Sequence, residues 1–210
     1  VNEFATKKNS RELRKNIILH EAIALFAEKG YFATTISDIA KEANVSFGSV
    51  AYYFNNKEQL FVEAVTAPFA DVKRLFEMIN EVEGTPIQRI SKMVNKQFIS
   101  LTEQRTPFRL VQYVIGQKEL FPELVERILL FFDELKEIVN HTIVEGQKKG
   151  ELIEIDPNVV FSSYFSYLNG VMLTIMDEPY HPIWNEFVLQ GIRLFGPREN
   201  VMDHYQEWIR

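Results

Sequence analysis

Helical periodicity runs through almost the whole 210-residue chain and leaves little room for another architecture. Apolar residues recur three and four positions apart, strict apolar–polar alternation over a strand's length is absent, and prolines and glycines fall between the periodic stretches. In residues 11–29, Ile18, Ala22, Leu25 and Phe26 form one stripe, closed by Gly30. Short helices are predicted over residues 35–43 and 46–54, and a long one from Lys57 to about residue 80. Pro86, Pro107, Pro122, Pro157 and Pro182 each stand where a first helical turn accepts a proline. The helices they open are predicted to reach about residues 103, 117, 149, 176 and 195, with a short terminal helix over 199–210. The fold class that follows is all-α: a small front domain over residues 1–56 and a larger helical domain over 57–210.

Composition removes several function classes. Without cysteine there is no disulfide framework, thiolate metal site or cysteine nucleophile, which suits a reducing cytoplasm. The four histidines (His20, His141, His181, His204) are scattered, and no metal-ligand pair, nucleophile elbow or Gly-rich phosphate loop occurs. Neither an enzyme nor a metal or cofactor is expected. No apolar run approaches the roughly 18 residues of a membrane span, and Val1 to Ser10 is polar, unlike a secretory signal. A cytoplasmic protein is the expectation.

The net charge of −6 is unevenly spread. Among the first sixty residues, Lys7, Lys8, Arg11, Arg14, Lys15, Lys29, Lys41 and Lys57 outnumber Glu3, Glu12, Glu21, Glu28, Asp38, Glu42 and Glu58. The acidic excess therefore lies behind a basic front. The stretch Lys7 to Lys15 reads either as part of an interface or as a frayed, solvated arm.

The two short helices carry the chemistry. They are joined by Asn44-Val45, and Ser46 is a good N-cap for the second. Val45 and Val50 stand at the positions of a hydrophobic staple, which fixes the angle of exit. Val50 and Phe54, four apart, face inward, so Gly48, Ser49, Tyr52 and Tyr53 fall on the other side, with Phe47 on the flank. A glycine within a helix costs roughly 1 kcal/mol against alanine, a cost that makes sense if the backbone must approach another surface. Hydroxyls and rings on that face suit base edges, phosphates and thymine methyls. Asn56 is predicted to cap the next helix, with Gln59 as its capping-box partner. Lys57 then sits in a first turn, against the helix dipole, where an ammonium and free amides together suit a phosphate. Thr34 and Thr35 precede the first short helix; one caps it, and either hydroxyl could meet a phosphate. The candidate DNA-binding set is thus Thr34, Thr35, Ser46, Phe47, Gly48, Ser49, Tyr52, Tyr53 and Lys57.

The run Ala24-Leu25-Phe26-Ala27-Glu28-Lys29-Gly30-Tyr31-Phe32-Ala33-Thr34-Thr35-Ile36-Ser37-Asp38-Ile39-Ala40-Lys41-Glu42-Ala43, continued by Asn44-Val45-Ser46-Phe47-Gly48-Ser49-Val50-Ala51-Tyr52-Tyr53-Phe54-Asn55-Asn56-Lys57-Glu58-Gln59-Leu60, closely resembles the front of the tetracycline-repressor (TetR) family. It departs from the family at Ala51, where a tyrosine is usual, and at Asn44, which replaces a glycine but tolerates the left-handed conformation. Residues 145–151 followed by Asp156-Pro157 resemble the family's junction before its last large helices.

The resemblance implies a DNA-binding transcriptional regulator of nine or ten helices. It would be a homodimer on a palindromic operator, and a small-molecule effector in the second domain would shift the spacing of the recognition helices. Such coupling requires the effector to favour the DNA-incompetent arrangement. Candidate effector residues are the aromatics Phe98, Phe108, Tyr113, Phe131, Tyr164 and Tyr167 and the polar Gln112, His141 and Asn169; core packing is the alternative for each. The aromatic content hints at an apolar or aromatic effector. For the dimer, Ser163, Ser166, Gly170, Phe187 and Gly191 are candidates, the small residues among them permitting close helix approach. Activation in place of repression, or an adaptor that keeps the shape without DNA, are the alternative functions.

Overall fold

The computed structural model describes residues 3–103, 105–175 and 183–199. Ten helices form among them: α1 (Glu3–Ala33), α2 (Ile36–Glu42), α3 (Phe47–Phe54), α4 (Lys57–Thr66), α5 (Phe69–Glu81), α6 (Pro86–Glu103), α7 (Arg105–Ile115), α8 (Pro122–Lys148), α9 (Pro157–Ile175) and α10 (Trp184–Arg193). No strand forms among the described residues, and Leu152 and Pro197 make an isolated antiparallel bridge. The expected all-α class is the one found.

The main departure is the long helix expected from Lys57 onward, which is two. Pro68 lacks an amide hydrogen and its ring crowds the carbonyl four residues back, so α4 stops at Thr66 and α5 starts at Phe69. Helix α7 begins at Arg105, ahead of Pro107. Helix α10 begins at Trp184; Pro182 and the terminal helix expected beyond Glu199 lie outside the described residues.

By packing, the chain divides into two compact units, Val1–Pro68 with Thr106–Glu126, and Phe69–Arg105 with Arg127–Arg210. Helix α4 belongs to the first because Leu60, Phe61, Ala64 and Val65 are buried and the helix packs on α1. The packing boundary thus differs from the division of roles drawn after residue 56.

In the first unit, Ile18, Ala22 and Phe26 of α1, Ile39 of α2, Val50 and Phe54 of α3, and Leu60 and Phe61 of α4 are buried. Aromatic rings knit this core, with Phe26 edge-on to Phe61 at 4.9 Å and Tyr31 4.7 Å from Phe61. Gly30 kinks α1 with φ 76° and ψ 170°, a conformation reserved for glycine. The kink lets the Tyr31 amide donate to the Tyr113 hydroxyl at 3.3 Å, and a Cβ on Gly30 would lie 3.1 Å from that oxygen.

The second unit packs α5 on α6 and α10 on both α6 and α9. In its interior the fully buried Tyr164 hydroxyl donates to the Gln97 side chain. Burial pushes the Tyr164 hydroxyl far up from its ordinary pKa, so it stays a donor. Arg89 ties three helices: it donates to the Ile79 carbonyl at 3.4 Å and pairs with Glu145. Hydrogen bonds from Lys149, then Arg89, hold the Glu145 carboxyl below the usual range.

Replacing Gly30 by alanine (Gly30→Ala) meets both an unfavourable φ and the Tyr113 hydroxyl, and is expected to destabilise the protein by about 1–3 kcal/mol. Urea unfolding measures it, and an unchanged midpoint would contradict the strain.

Candidate nucleic-acid interface

Helices α2 and α3 are set at a fixed angle by hydrogen bonds legible residue by residue. Thr35 is the N-cap of α2 in extended backbone; its hydroxyl accepts from the Asp38 amide at 3.1 Å, and the Asp38 carboxylate accepts the Thr35 amide at 3.0 Å. The Thr35 hydroxyl also donates to that carboxylate at 2.6 Å, and these bonds hold the Asp38 carboxyl below its usual pKa. At the other end Asn44 takes φ 52°, its amide donating to the Lys41 carbonyl at 3.1 Å and the Val45 amide to the Ala40 carbonyl at 2.9 Å. That pair of bonds is a Schellman motif, which ends α2 and turns the chain. Ser46 then caps α3, accepting from the Ser49 amide at 3.1 Å, with the two serine hydroxyls 2.9 Å apart.

Helix α3 has one buried and one open side. Val50 is 0% and Phe54 1% exposed, whereas Phe47 is 58% and Tyr52 64% exposed. Gly48 is exposed, and Ser49 and Tyr53 are half-buried. A Cβ built on Gly48 would meet only the Ser46 hydroxyl, at 3.9 Å, among the described residues, so none of these crowds this glycine. The Tyr52 and Tyr53 rings meet edge to face at 5.2 Å. The helix ends at Asn55 with φ 61°.

Asn56 caps α4, accepting from the Gln59 amide at 2.8 Å. The Gln59 side chain accepts instead from the Asn55 amide group at 3.1 Å, so the reciprocal bond expected of a capping box goes to a neighbour. The Lys57 ammonium lies 4.4 Å from the centre of the Tyr31 ring, and partial burial lowers its pKa. A ring face on one side and the first turn of α4 on the other define where this charge can point.

Thr34 does not belong to the open face. It is 0% exposed, and its hydroxyl donates to the carbonyls of Gly30 at 2.8 Å and Leu25 at 3.2 Å. Thr34 thereby ties the end of α1 back across the Gly30 kink. Thr35 and Ser46 are exposed, but their oxygens are engaged as caps.

The effector candidates divide between the two units. Phe108, Gln112 and Tyr113 lie in the first unit, Tyr113 against Gly30. The rest lie in the second. His141 is exposed there, on a turn of α8 that faces out, so it lines no interior site. Tyr164 is committed to Gln97, and Asn169 donates back to the Phe165 carbonyl at 2.8 Å. Phe98 and Tyr167 do meet, with ring centres 6.3 Å apart, and the Tyr167 hydroxyl donates to the Phe187 carbonyl at 3.0 Å. Burial raises the Tyr167 pKa to about 12. Phe131 stacks on Phe69 at 4.1 Å and, with Leu130, Lys73, Arg127 and Glu134, lines an open cavity of about 370 Å³.

Among the dimer candidates, Ser163, Ser166 and Gly170 are exposed on α9, and Phe187 is half-buried. Gly191 faces inward, where an added Cβ would lie 3.2 Å from Val94 and 3.4 Å from Tyr164. Its small size serves packing inside the chain and does not open a surface.

Sequence reasoning did not single out Arg11 within the Lys7 to Lys15 stretch, which it left open between an interface and a solvated arm. Helix α1 is regular from Glu3, and the Arg11 guanidinium lies 5.2 Å from the Tyr52 ring centre. The available signal was register: Arg11 is four residues before Lys15, which pairs with Glu63 at 2.7 Å.

Among the described residues no three His, Cys, Asp or Glu side chains group as a metal site, and no helix is long and apolar enough to cross a membrane.

Residues 18–64 match the family described as bacterial regulatory proteins, tetR family. The chain is 29% identical over 132 residues to the biofilm operon icaADBC HTH-type negative transcriptional regulator IcaR of Staphylococcus aureus, covering 58% of this chain and 71% of that protein. It is 26% identical over 182 residues to the HTH-type transcriptional regulator YhgD of Bacillus subtilis, covering 85% and 92%. Among solved structures, a candidate fatty acid metabolism regulator of Clostridium perfringens aligns with a TM-score of 0.72 and 26% identity over 85% of this chain and 96% of that one. The fatty acid degradation regulator FadR of Bacillus halodurans, at 23% identity, shares the fold with a TM-score of 0.73, over 87% and 95%. The capped helix-turn-helix at residues 35–54 lies inside the segment that matches the tetR family of bacterial regulatory proteins, and the chain is similar to these regulators in fold over most of its length.

Proposed function

We propose that this regulator is a homodimeric repressor that reads a palindromic operator with α3 and leaves it when a small apolar or aromatic molecule binds the second unit. The observation that carries the DNA reading is the uncrowded Gly48 between exposed Phe47 and Tyr52. A helical glycine costs stability, no neighbour among the described residues demands it, and an outside backbone lying against α3 would. Tyr52, Tyr53 and Ser49 then supply hydroxyls for base edges and phosphates, and Phe47 an apolar surface for a thymine methyl. Lys57, on the Tyr31 ring, offers its charge to a phosphate together with the amides of the α4 N-terminus. The basic front and acidic remainder orient the molecule on a polyanion.

A homodimer is supported by α9. Val159 at 54% and Leu173 at 73% exposure flank Ser163, Ser166 and Gly170, and no described side chain of this unit lies within 4 Å of a Cβ on Gly170. Repression is supported by the relative named a negative regulator, and an acyl compound becomes the first effector class to test because another relative is named for fatty acid metabolism. The reading requires no catalytic step and no cofactor.

Selection from a random duplex pool is expected to return inverted half-sites, because a twofold dimer presents two identical helices; a single asymmetric half-site would contradict the dimer. Tyr52→Ala is expected to lower the preference for operator over random duplex. Lys57→Ala should weaken all duplexes alike and reduce the salt slope by about one unit. If the two variants behave identically in salt titrations, the division of labour is wrong. Gly48→Ala is expected to raise thermal stability slightly, by up to about 1 kcal/mol, while weakening operator binding; tight binding by that variant would remove the close-approach argument.

A further inference from the structure

Helix α1 places two cations one turn apart against rings of α3, and they have different neighbours. Lys15 is used inside the chain: its ammonium lies 5.2 Å from the Phe54 ring centre and 2.7 Å from the Glu63 carboxylate. Arg11, four residues earlier, is exposed and pairs with no carboxylate among the described residues; its guanidinium carbon sits 5.2 Å from the centre of the Tyr52 ring. Tyr52 is the most outward of the aromatic residues on α3, and Tyr53 approaches it edge to face at 5.2 Å. An exposed tyrosine would ordinarily sample its rotamers freely. Here its ring has a cation on one side and a second ring against it.

We propose that Arg11 is a positioning residue for Tyr52. Stacked on the ring, it holds Tyr52 at the angle in which α3 presents it to DNA, so operator preference belongs to the Arg11–Tyr52 pair and not to either residue alone. The inference rests on the reading of α3 as the recognition helix. Guanidinium chemistry suits the task where ammonium does not. The planar, weakly hydrated group stacks on an aromatic face and still keeps N–H donors at its edge, whereas a lysine is a compact, strongly hydrated point charge. Those edge donors remain available to a phosphate beside the base step that Tyr52 meets, which adds one unit of salt dependence to the pair.

Binding of the full-length chain to the selected operator and to a scrambled duplex, by fluorescence anisotropy over a range of salt, tests this. Arg11→Ala, Arg11→Lys, Tyr52→Ala and the double variant are compared, with circular dichroism and thermal melting showing that each remains folded. Arg11→Ala is expected to lower the operator-to-scrambled ratio by roughly two- to five-fold, the strength of an exposed cation–π contact, and to reduce the salt slope by about one. Arg11→Lys should keep the salt slope and the scrambled affinity but lose most of the preference. In the Tyr52→Ala background, Arg11→Ala should cost no further preference and only the salt slope should fall. Independent, multiplicative losses of preference in the double variant would overturn the pairing, as would full recovery by Arg11→Lys, which would make Arg11 a charge alone. A wild-type chain that shows no preference for any duplex sinks the recognition-helix reading beneath it, a result distinct from either of these.

Discussion

The burial of Val50 and Phe54 decides which side of α3 the rest of the protein leaves open. Two apolar side chains four residues apart share one face of a helix, and here they are almost fully withdrawn from water, as are Ile18, Ala22 and Phe26 of α1. With that face occupied, Phe47, Gly48 and Tyr52 have only the outside to point to. Rotating α3 to hide Tyr52 would expose Val50 and Phe54, forfeiting about 1.5–3 kcal/mol for each. The Schellman turn at Asn44 and the Ser46 cap add directional restraint, but the apolar pair makes the orientation costly to change.

That geometry also explains the division among the small polar residues in front of α3. Thr34 and Thr35 are adjacent and chemically identical, yet one is buried and the other exposed. The Thr34 hydroxyl reaches back from inside to carbonyls of α1 on either side of the Gly30 kink. Thr35, one residue on, has the extended backbone of an N-cap. Sequence supports capping by one of the two; which hydroxyl turns inward depends on the path of a kinked helix end. The same holds for Lys57 and Arg11. Their charges are visible in the sequence, but the ring faces beneath them come from residues 26 and 41 positions away.

In the second unit, legibility was poorer for a physical reason. A core aromatic and a ligand-facing aromatic have the same helical spacing, so periodicity alone does not separate Tyr164, locked to Gln97, from Tyr167 or Phe98. Gly191 and Gly170 likewise look alike in sequence. The first sits under Val94, Phe98 and Tyr164, and the second meets none of the described residues. Only the neighbours from other helices distinguish a glycine that admits packing within the chain from one that leaves a surface bare. The break at Pro68 was readable in principle, because proline forbids a continuous hydrogen-bond ladder there whatever the tertiary context.

By itself the amino-acid order determined the local matters: an all-helical chain, the caps at Ser46 and Asn56, the turn at Asn44, and the inward pair Val50 and Phe54. These depend on bonds and spacings spanning a few residues. Tertiary structure alone decided that Thr34 is buried, that α4 joins the first unit, that Gly191 is a packing residue, and that Arg11 lies over Tyr52. Each of these is a meeting of side chains distant in sequence, and helix periodicity specifies a face without naming what the face will meet.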